Sequence, residues 1–225
     1  RFDFRKAYLD VEKARTGSGT NRRARLCAFL ADREGGVDLR TMMSLVADHS
    51  DGMDPHEAHR ATMPSEWSVC MHYGHTATGN TAGTLIAHLC DDGSRLPVYW
   101  TSFYSPCLGI FLPTFSEGRV PRVLSVGDGQ PSEDSPWWLF RQLEKSTRRG
   151  LDFDEETVNA IRGEWAPVQN DLIDSAYKIA AEGSRLMAEG ESAKAVELVT
   201  GYMESTTALV LGKAKELLSR TAAAV

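Results

Sequence analysis

The spacing of apolar and polar residues changes twice along this chain of 225 residues. Between Trp67 and Phe115 charged side chains are nearly absent except at the turn Asp91–Arg95. The segments on both sides place apolar residues at helical spacing instead. This pattern predicts one antiparallel sheet in the middle of the chain, with helices covering its faces, and therefore an α+β fold.

The apolar middle of the chain predicts four strands, at Trp67–Tyr73, Asn80–Leu89, Val98–Phe103 and Leu108–Leu112. Asp91-Asp92-Gly93-Ser94 indicates a hairpin between the second and third strands. Ser105-Pro106 separates the third from the fourth, because proline cannot donate to a ladder. Short connections make such neighbours antiparallel. Residues 121–126 are expected to form an edge strand or a loop.

Helical spacing predicts helices on both sides of the strands. One is led by Arg22-Arg23-Ala24-Arg25, with Thr20 or Asn21 as its cap, and the next is capped by Asp38. After the strands, Ser135-Pro136 begins a helix that ends by Gly150. Acidic residues Asp154 to Glu156 suit the start of another. The last predicted helices are Val168–Met187 and Ala193–Ser219, the latter with an apolar stripe at Val196, Val199, Met203, Val210 and Leu217.

Charge and composition exclude several classes of protein. The net charge is −6, and residues 151–225 account for all of it, with 13 acidic and 7 basic side chains. An acidic balance without a basic face argues against nucleic acid as a partner. No apolar run approaches the roughly 20 residues of a membrane span. Four cysteines without a CxxC pair indicate buried thiols in a cytoplasmic protein.

The residues that could carry chemistry leave alternatives open. His56 and His59 are three apart, as are His72 and His75, but a zinc site needs three or four convergent ligands. We therefore expect no metal and no cofactor. Cys70 and His72 would share one face of a strand at i, i+2. They would form either a thiolate–imidazole pair or a core cysteine beside a hydrogen-bonded histidine.

Several motifs taken together resemble the second half of the secernin and dipeptidase-A family, a branch of the N-terminal-nucleophile hydrolases. They are Ser68-Val-Cys-Met-His-Tyr73, Asn80-Thr-Ala-Gly83, Pro97-Val-Tyr-Trp100 and Ser105-Pro-Cys-Leu-Gly-Ile-Phe-Leu-Pro113, with looser matches at Phe2–Tyr8, the arginine-led helix and Trp137-Trp138. The resemblance implies a helix–sheet–sheet–helix (αββα) sandwich. Residues 1–150 would then be the C-terminal portion of the hydrolase domain, with strands within 67–126. Residues 151–225 would be a helical extension packed on it.

The resemblance also implies an activity, the hydrolysis of amide bonds in dipeptides or N-acyl amines. The family's nucleophile is a cysteine at the mature N-terminus, whose own α-amine serves as the base. This sequence begins with Arg1, so we expect the cysteine on a preceding segment or on a partner chain in an oligomer. Arg23, or Arg22 after a slip of one residue, would lie near the nucleophile. His72, Asn80 and Asn21 would line the substrate site.

A second hypothesis comes from another class of protein. The chain could be a non-catalytic binding or assembly module that keeps the fold. An associated chain that begins with cysteine would favour the enzyme, whereas a chain that exists alone would need self-association to cover its exposed sheet edge or face.

Overall fold

The protein has an α+β fold with a small antiparallel sheet and several helices. The computed structural model describes residues 2–11, 18–31, 33, 35–49, 69–73 and 79–222. By its internal contacts the chain divides into two units, residues 1–80 and residues 81–225. The helices after residue 150 thus share the second unit with the strands.

Among its described residues the first unit has the helices α1 (Phe4–Tyr8), α2 (Ser18–Ala31) and α3 (Leu39–Val46). The predicted cap of α3 is confirmed, since the Asp38 carboxylate accepts a 2.7 Å hydrogen bond from the Thr41 N–H. The predicted caps of α2 are wrong, because the helix begins at Ser18 and includes Thr20 and Asn21. Small polar residues are tolerated in a first helical turn, whose N–H groups have no intrahelical partners.

Residues 69–73 do not form the predicted strand. The backbone N–H groups of Val69 and Cys70 both donate to the carbonyl of Asp48, each at 3.1 Å. Their hydrogen bonds therefore go to the chain just after α3 rather than to a ladder. The rest of this predicted strand, at residues 67 and 68, lies outside the described residues, as do His56, His59 and His75.

Three antiparallel strands form the sheet of the second unit, in the order β1 (Gly83–His88), β2 (Val98–Phe103), β3 (Leu112–Thr114). The bounds of β2 are those predicted, and β1 lies within its predicted range. The fourth predicted strand is misplaced, since pairing begins only at Leu112. Residues 122–125 form a 3₁₀ turn rather than an edge strand.

Helices complete the second unit: α4 (Pro136–Ser146), α5 (Glu155–Ala188) and α6 (Ser192–Ala222), with a short hairpin of β4 (Arg148–Arg149) and β5 (Asp152–Phe153) between α4 and α5. The predicted start at Pro136 is confirmed. The acidic start at Glu155 and the segment expected at Val168 belong to one continuous helix, which runs through Pro167. Within the described residues, no helix combines the length and the apolarity that crossing a membrane requires.

The segment between β2 and β3 takes its hydrogen bonds from one face of α5. Arg162 Nε donates to the Cys107 carbonyl at 3.0 Å, and Trp165 Nε1 donates to the Leu108 carbonyl at 3.2 Å. The side-chain amide of Gln169 pairs with both backbone groups of Phe111, at 2.7 and 3.1 Å. Spacing of i, i+3 and i+7 puts these three side chains on one helical face. The helix thus supplies the partners that a neighbouring strand would give.

The inner face of the sheet packs against the long helices. Trp100 is fully buried, and Tyr177 of α5 contacts both its ring and the His88 ring. The His88 Nδ1 and the Tyr177 hydroxyl are 2.6 Å apart. The predicted stripe on α6 is buried at Val199, Met203, Val210 and Leu217, whereas Val196 is half-buried.

The opposite face of the sheet is open on the side of β1. Leu85 is 63% exposed and Leu89 is 64% exposed, and Ala87 lies between them on the same face. We call these three residues the β1 stripe. Toward β3 the same face is closed, since Leu112, opposite Thr101, is buried. The sheet therefore has one face under helices and one that presents apolar side chains.

The amide of Gln169 gives a first prediction. Replacing Gln169 with Ala leaves both backbone groups of Phe111 without these partners, which should lower the free energy of unfolding by about 1–3 kcal/mol. Urea unfolding followed by tryptophan fluorescence measures the change. The matched control is Gln142→Ala, at an exposed position of α4, with an expected change within about 0.5 kcal/mol. Equal changes in the two variants would contradict the role given to Gln169.

Tyr202 gives a prediction about alkaline pH. Burial raises the pKa of Tyr202, and a hydrogen bond with the Ser175 hydroxyl lowers it. Burial is the larger effect, and the resulting pKa is about 12. A pKa raised by folding adds stability that is complete below the unfolded value of about 10 and is lost as pH rises through about 12. As pH rises from about 10 to about 12, the native protein loses this stability and the Tyr202→Phe variant does not. The melting temperatures of the two proteins should therefore converge over this pH range. A gap that stays constant with pH would contradict this assignment.

Candidate functional site

Asp48 links α2 with the segment at residues 69–73. Its carboxylate accepts two hydrogen bonds from Arg25 of α2, from Nε at 2.8 Å and from Nη2 at 2.7 Å. Both side chains are largely buried, with 17% of Arg25 and 7% of Asp48 exposed. Since the carbonyl of the same residue holds Val69 and Cys70, one aspartate fixes the positions of two separate segments.

His49, Cys70 and His72 converge next to this aspartate, and we call them the His–Cys–His cluster. The two Nε2 atoms of His49 and His72 are 3.0 Å apart. The Cys70 Sγ lies 3.4 Å from the same Nε2 of His72. The three atoms lie within 4.8 Å of one another. Cys70 is fully buried and His72 is 1% exposed, whereas His49 is half-buried.

The hydrogen bonds in this arrangement depend on the histidine tautomers. A ring nitrogen of a neutral histidine carries either one hydrogen or one lone pair. The Nε2 of His72 has two close neighbours, the Nε2 of His49 and the Sγ of Cys70. It can therefore make one good hydrogen bond with one of the two, while the other lies at contact distance.

Cys70 and His72 lie close together as predicted, but the segment that carries them is not a strand. A reactive cysteine sits in a partly exposed, electropositive environment. Cys70 has no exposed surface, so a substrate cannot reach its sulfur in this conformation. The geometry favours a thiol that packs or binds a ligand atom over a nucleophile.

The two arginines predicted near the nucleophile lie on α2. Arg23 is exposed, and Arg22 is half-buried. The Nε of Arg22 is buried, with no hydrogen-bond partner within the part of the chain that the structure describes. Asn21 lies in the same helix, and its side chain is outside the described part. The two-pronged contact with a carboxylate that the described residues show is made by Arg25.

Asn80 is held beside the segment that carries His72. Its Oδ1 accepts a hydrogen bond from the backbone N–H of Tyr73. The structure thus holds Asn80, one position predicted to line a substrate site, against Tyr73, the neighbour of a second such position, His72. Whether they contact a substrate stays a prediction.

Sequence reasoning missed Arg25, Asp48 and His49. Two of the contacts that define the site join residues 23 positions apart, Arg25 with Asp48 and His49 with His72. Local spacing carries no signal for such pairs. The i, i+2 pair of Cys70 and His72 was the one local sign of the cluster.

Comparison with protein family models, with curated proteins and with solved structures finds no match for this chain. The resemblance to the secernin and dipeptidase-A family therefore stays an expectation from the motifs.

The two hydrogen bonds from Arg25 to the Asp48 carboxylate give a prediction about stability. Arg25→Met leaves the largely buried Asp48 carboxylate without its two charge-assisted hydrogen bonds, which should cost about 1–3 kcal/mol. Chemical unfolding measures the loss. The control is Arg23→Met, two residues away on the same helix and exposed, where we expect little change. If Arg23→Met lowers the free energy of unfolding as much as Arg25→Met does, the hydrogen bonds from Arg25 are not what stabilises Asp48.

Proposed function

We propose that this chain is the C-terminal portion, or a subunit, of an N-terminal-nucleophile hydrolase similar to the secernins and dipeptidase A. It would cleave amide bonds of dipeptides or N-acyl amines. The nucleophilic cysteine would come from another segment or from a partner chain. The four cysteines of this sequence fit that view, because each stands inside a described segment with residues on both sides and offers no α-amine.

The observation that carries the proposal is the two-sided sheet of the second unit. One face is packed on α5, and the other presents the β1 stripe to solvent. A layered sandwich needs this asymmetry, because each sheet covers one face with helices and the other with its partner sheet. A sheet that bears the cysteine, packed against the β1 stripe, would complete the expected αββα arrangement.

Arg22 and Arg23 are the positions that the resemblance implies near the nucleophile. Arg22 has a buried Nε that lacks a partner among the described residues, so its guanidinium suits a substrate carboxylate or the developing charge on the attacked amide. Arg23 is the alternative position after a slip of one residue. His72 and Asn80 would position the loop around residues 72 and 73 rather than act as bases, since the α-amine of the nucleophile does that work.

The proposed setting is the cytoplasm. Cys27, Cys70, Cys90 and Cys107 all carry thiols rather than disulfides. Reduced cysteines are usual where glutathione and thioredoxin maintain a reducing environment. The acidic net charge agrees with small-molecule substrates rather than nucleic acid.

A test of this function combines composition and activity. The chain, carrying an affinity tag, is purified from its own source, and every polypeptide in the particle is identified by intact mass and N-terminal sequencing. We expect a stoichiometric partner, or a preceding segment, that begins with cysteine, and hydrolysis of dipeptides or N-acyl amines. Leu85→Arg places a charge in the β1 stripe and should abolish both the association and the activity. Leu209→Arg is the matched control, at a leucine of α6 that is 54% exposed.

Two results would overturn the proposal. One is a particle that contains no polypeptide with an N-terminal cysteine, and the other is a complete particle without amide hydrolysis. The second result would favour the non-catalytic assembly module instead. Equal loss of the partner in Leu85→Arg and Leu209→Arg would remove the β1 stripe as the contact surface.

A further inference from the structure

We infer that the His–Cys–His cluster is a binding site for a divalent transition-metal ion, of which Zn²⁺ is the best fit. This inference goes beyond the proposed hydrolase and does not depend on it. It also replaces our expectation of no metal, which considered only pairs of histidines close in sequence.

Distances in the cluster are near those of a metal centre. With bonds of about 2.0–2.1 Å to nitrogen and about 2.3 Å to sulfur, a tetrahedral zinc ion separates two nitrogens by roughly 3.3 Å and a nitrogen from a sulfur by roughly 3.6 Å. The two Nε2 atoms are 3.0 Å apart, and the Cys70 Sγ lies 3.4 Å from the His72 Nε2. These two separations are within a few tenths of an ångström of the tetrahedral values, and the third pair, His49 Nε2 and Cys70 Sγ, lies within 4.8 Å.

A metal ion also gives the three converging atoms one common partner. It accepts one lone pair from each of His49, Cys70 and His72 at the same time. The single lone pair on the Nε2 of His72 then no longer has to serve two neighbours. Binding removes the proton from the Cys70 thiol, because the thiolate is the form that coordinates metals, and that proton passes to solvent.

The cluster is held in place by groups that are not ligands. Arg25 fixes the Asp48 carboxylate, and the Asp48 carbonyl fixes the backbone of Cys70. His49 directly follows Asp48 in the chain. Two of the three ligands thus stand beside one anchored residue, which lowers the entropy lost when the ion binds.

The choice of ion follows from the ligand atoms. Two imidazole nitrogens and one thiolate suit Zn²⁺, whereas Mg²⁺ and Ca²⁺ prefer oxygen. The burial of Cys70 and His72 would shield the thiolate from oxidation.

Metal titration of the 225-residue chain tests the inference. The protein is freed of metal with a chelator, and Zn²⁺ is added in competition with a chromophoric chelator under reducing conditions. We expect one Zn²⁺ per chain. Cys70→Ser, which changes a single atom, should weaken binding by more than the roughly 10–100-fold typical of losing an outer partner. Cys27→Ser is the matched control, an exposed cysteine of α2, and should bind as the native chain does.

Cobalt substitution gives a second readout that is specific for the sulfur ligand, because tetrahedral bands that persist without the charge-transfer band show loss of the thiolate rather than loss of the site. Co²⁺ bound to the native chain should show the visible bands of a tetrahedral ion and a thiolate-to-cobalt charge-transfer band. The charge-transfer band should vanish in Cys70→Ser and persist in Cys27→Ser. Failure of the native chain to bind stoichiometric Zn²⁺, or a charge-transfer band that survives Cys70→Ser, would overturn the assignment.

Discussion

The second unit depends on one constraint, that backbone groups taken into a protein interior must find hydrogen-bond partners. The chain between β2 and β3 has no neighbouring strand, and its carbonyls at Cys107 and Leu108 are bonded by Arg162 and Trp165 of α5 instead. Gln169 completes this row by pairing with both groups of Phe111. Because the row fixes α5 beside the sheet, it also determines which face of the sheet is covered and which is left to solvent.

Much of the fold could be predicted from local patterns. Alternation and a hairpin turn predicted the bounds of β2, and a side-chain acceptor followed by helical spacing predicted the cap of α3 at Asp38. The predicted strand at Leu108–Leu112 was misplaced for a physical reason. A short apolar run has the same composition whether it is a buried strand or an irregular segment whose partners are side chains. The partners here come from α5, more than fifty residues later in the chain.

The candidate site was less accessible to sequence reasoning than the fold. Cys70 and His72 were visible as a local pair, but His49 is 23 residues away from His72 and stands in a stretch with no regular pattern. Arg22 and Arg23 were predicted to lie near a nucleophile, and that stays a prediction. The contact between Arg25 and Asp48 was not anticipated, because it joins residues far apart in sequence.

The packing of Phe115 against α6 has a consequence for synthesis. Its backbone N–H approaches the Met203 Sδ at 3.3 Å, across 88 positions of sequence. The hairpin of β1 and β2 can form as soon as it leaves the ribosome, because its partners are local. Its apolar inner face, however, stays uncovered until the two long helices have been translated. The nascent chain thus passes through a stage in which tryptophan and phenylalanine side chains are exposed to solvent. At that stage chaperone binding would compete with aggregation.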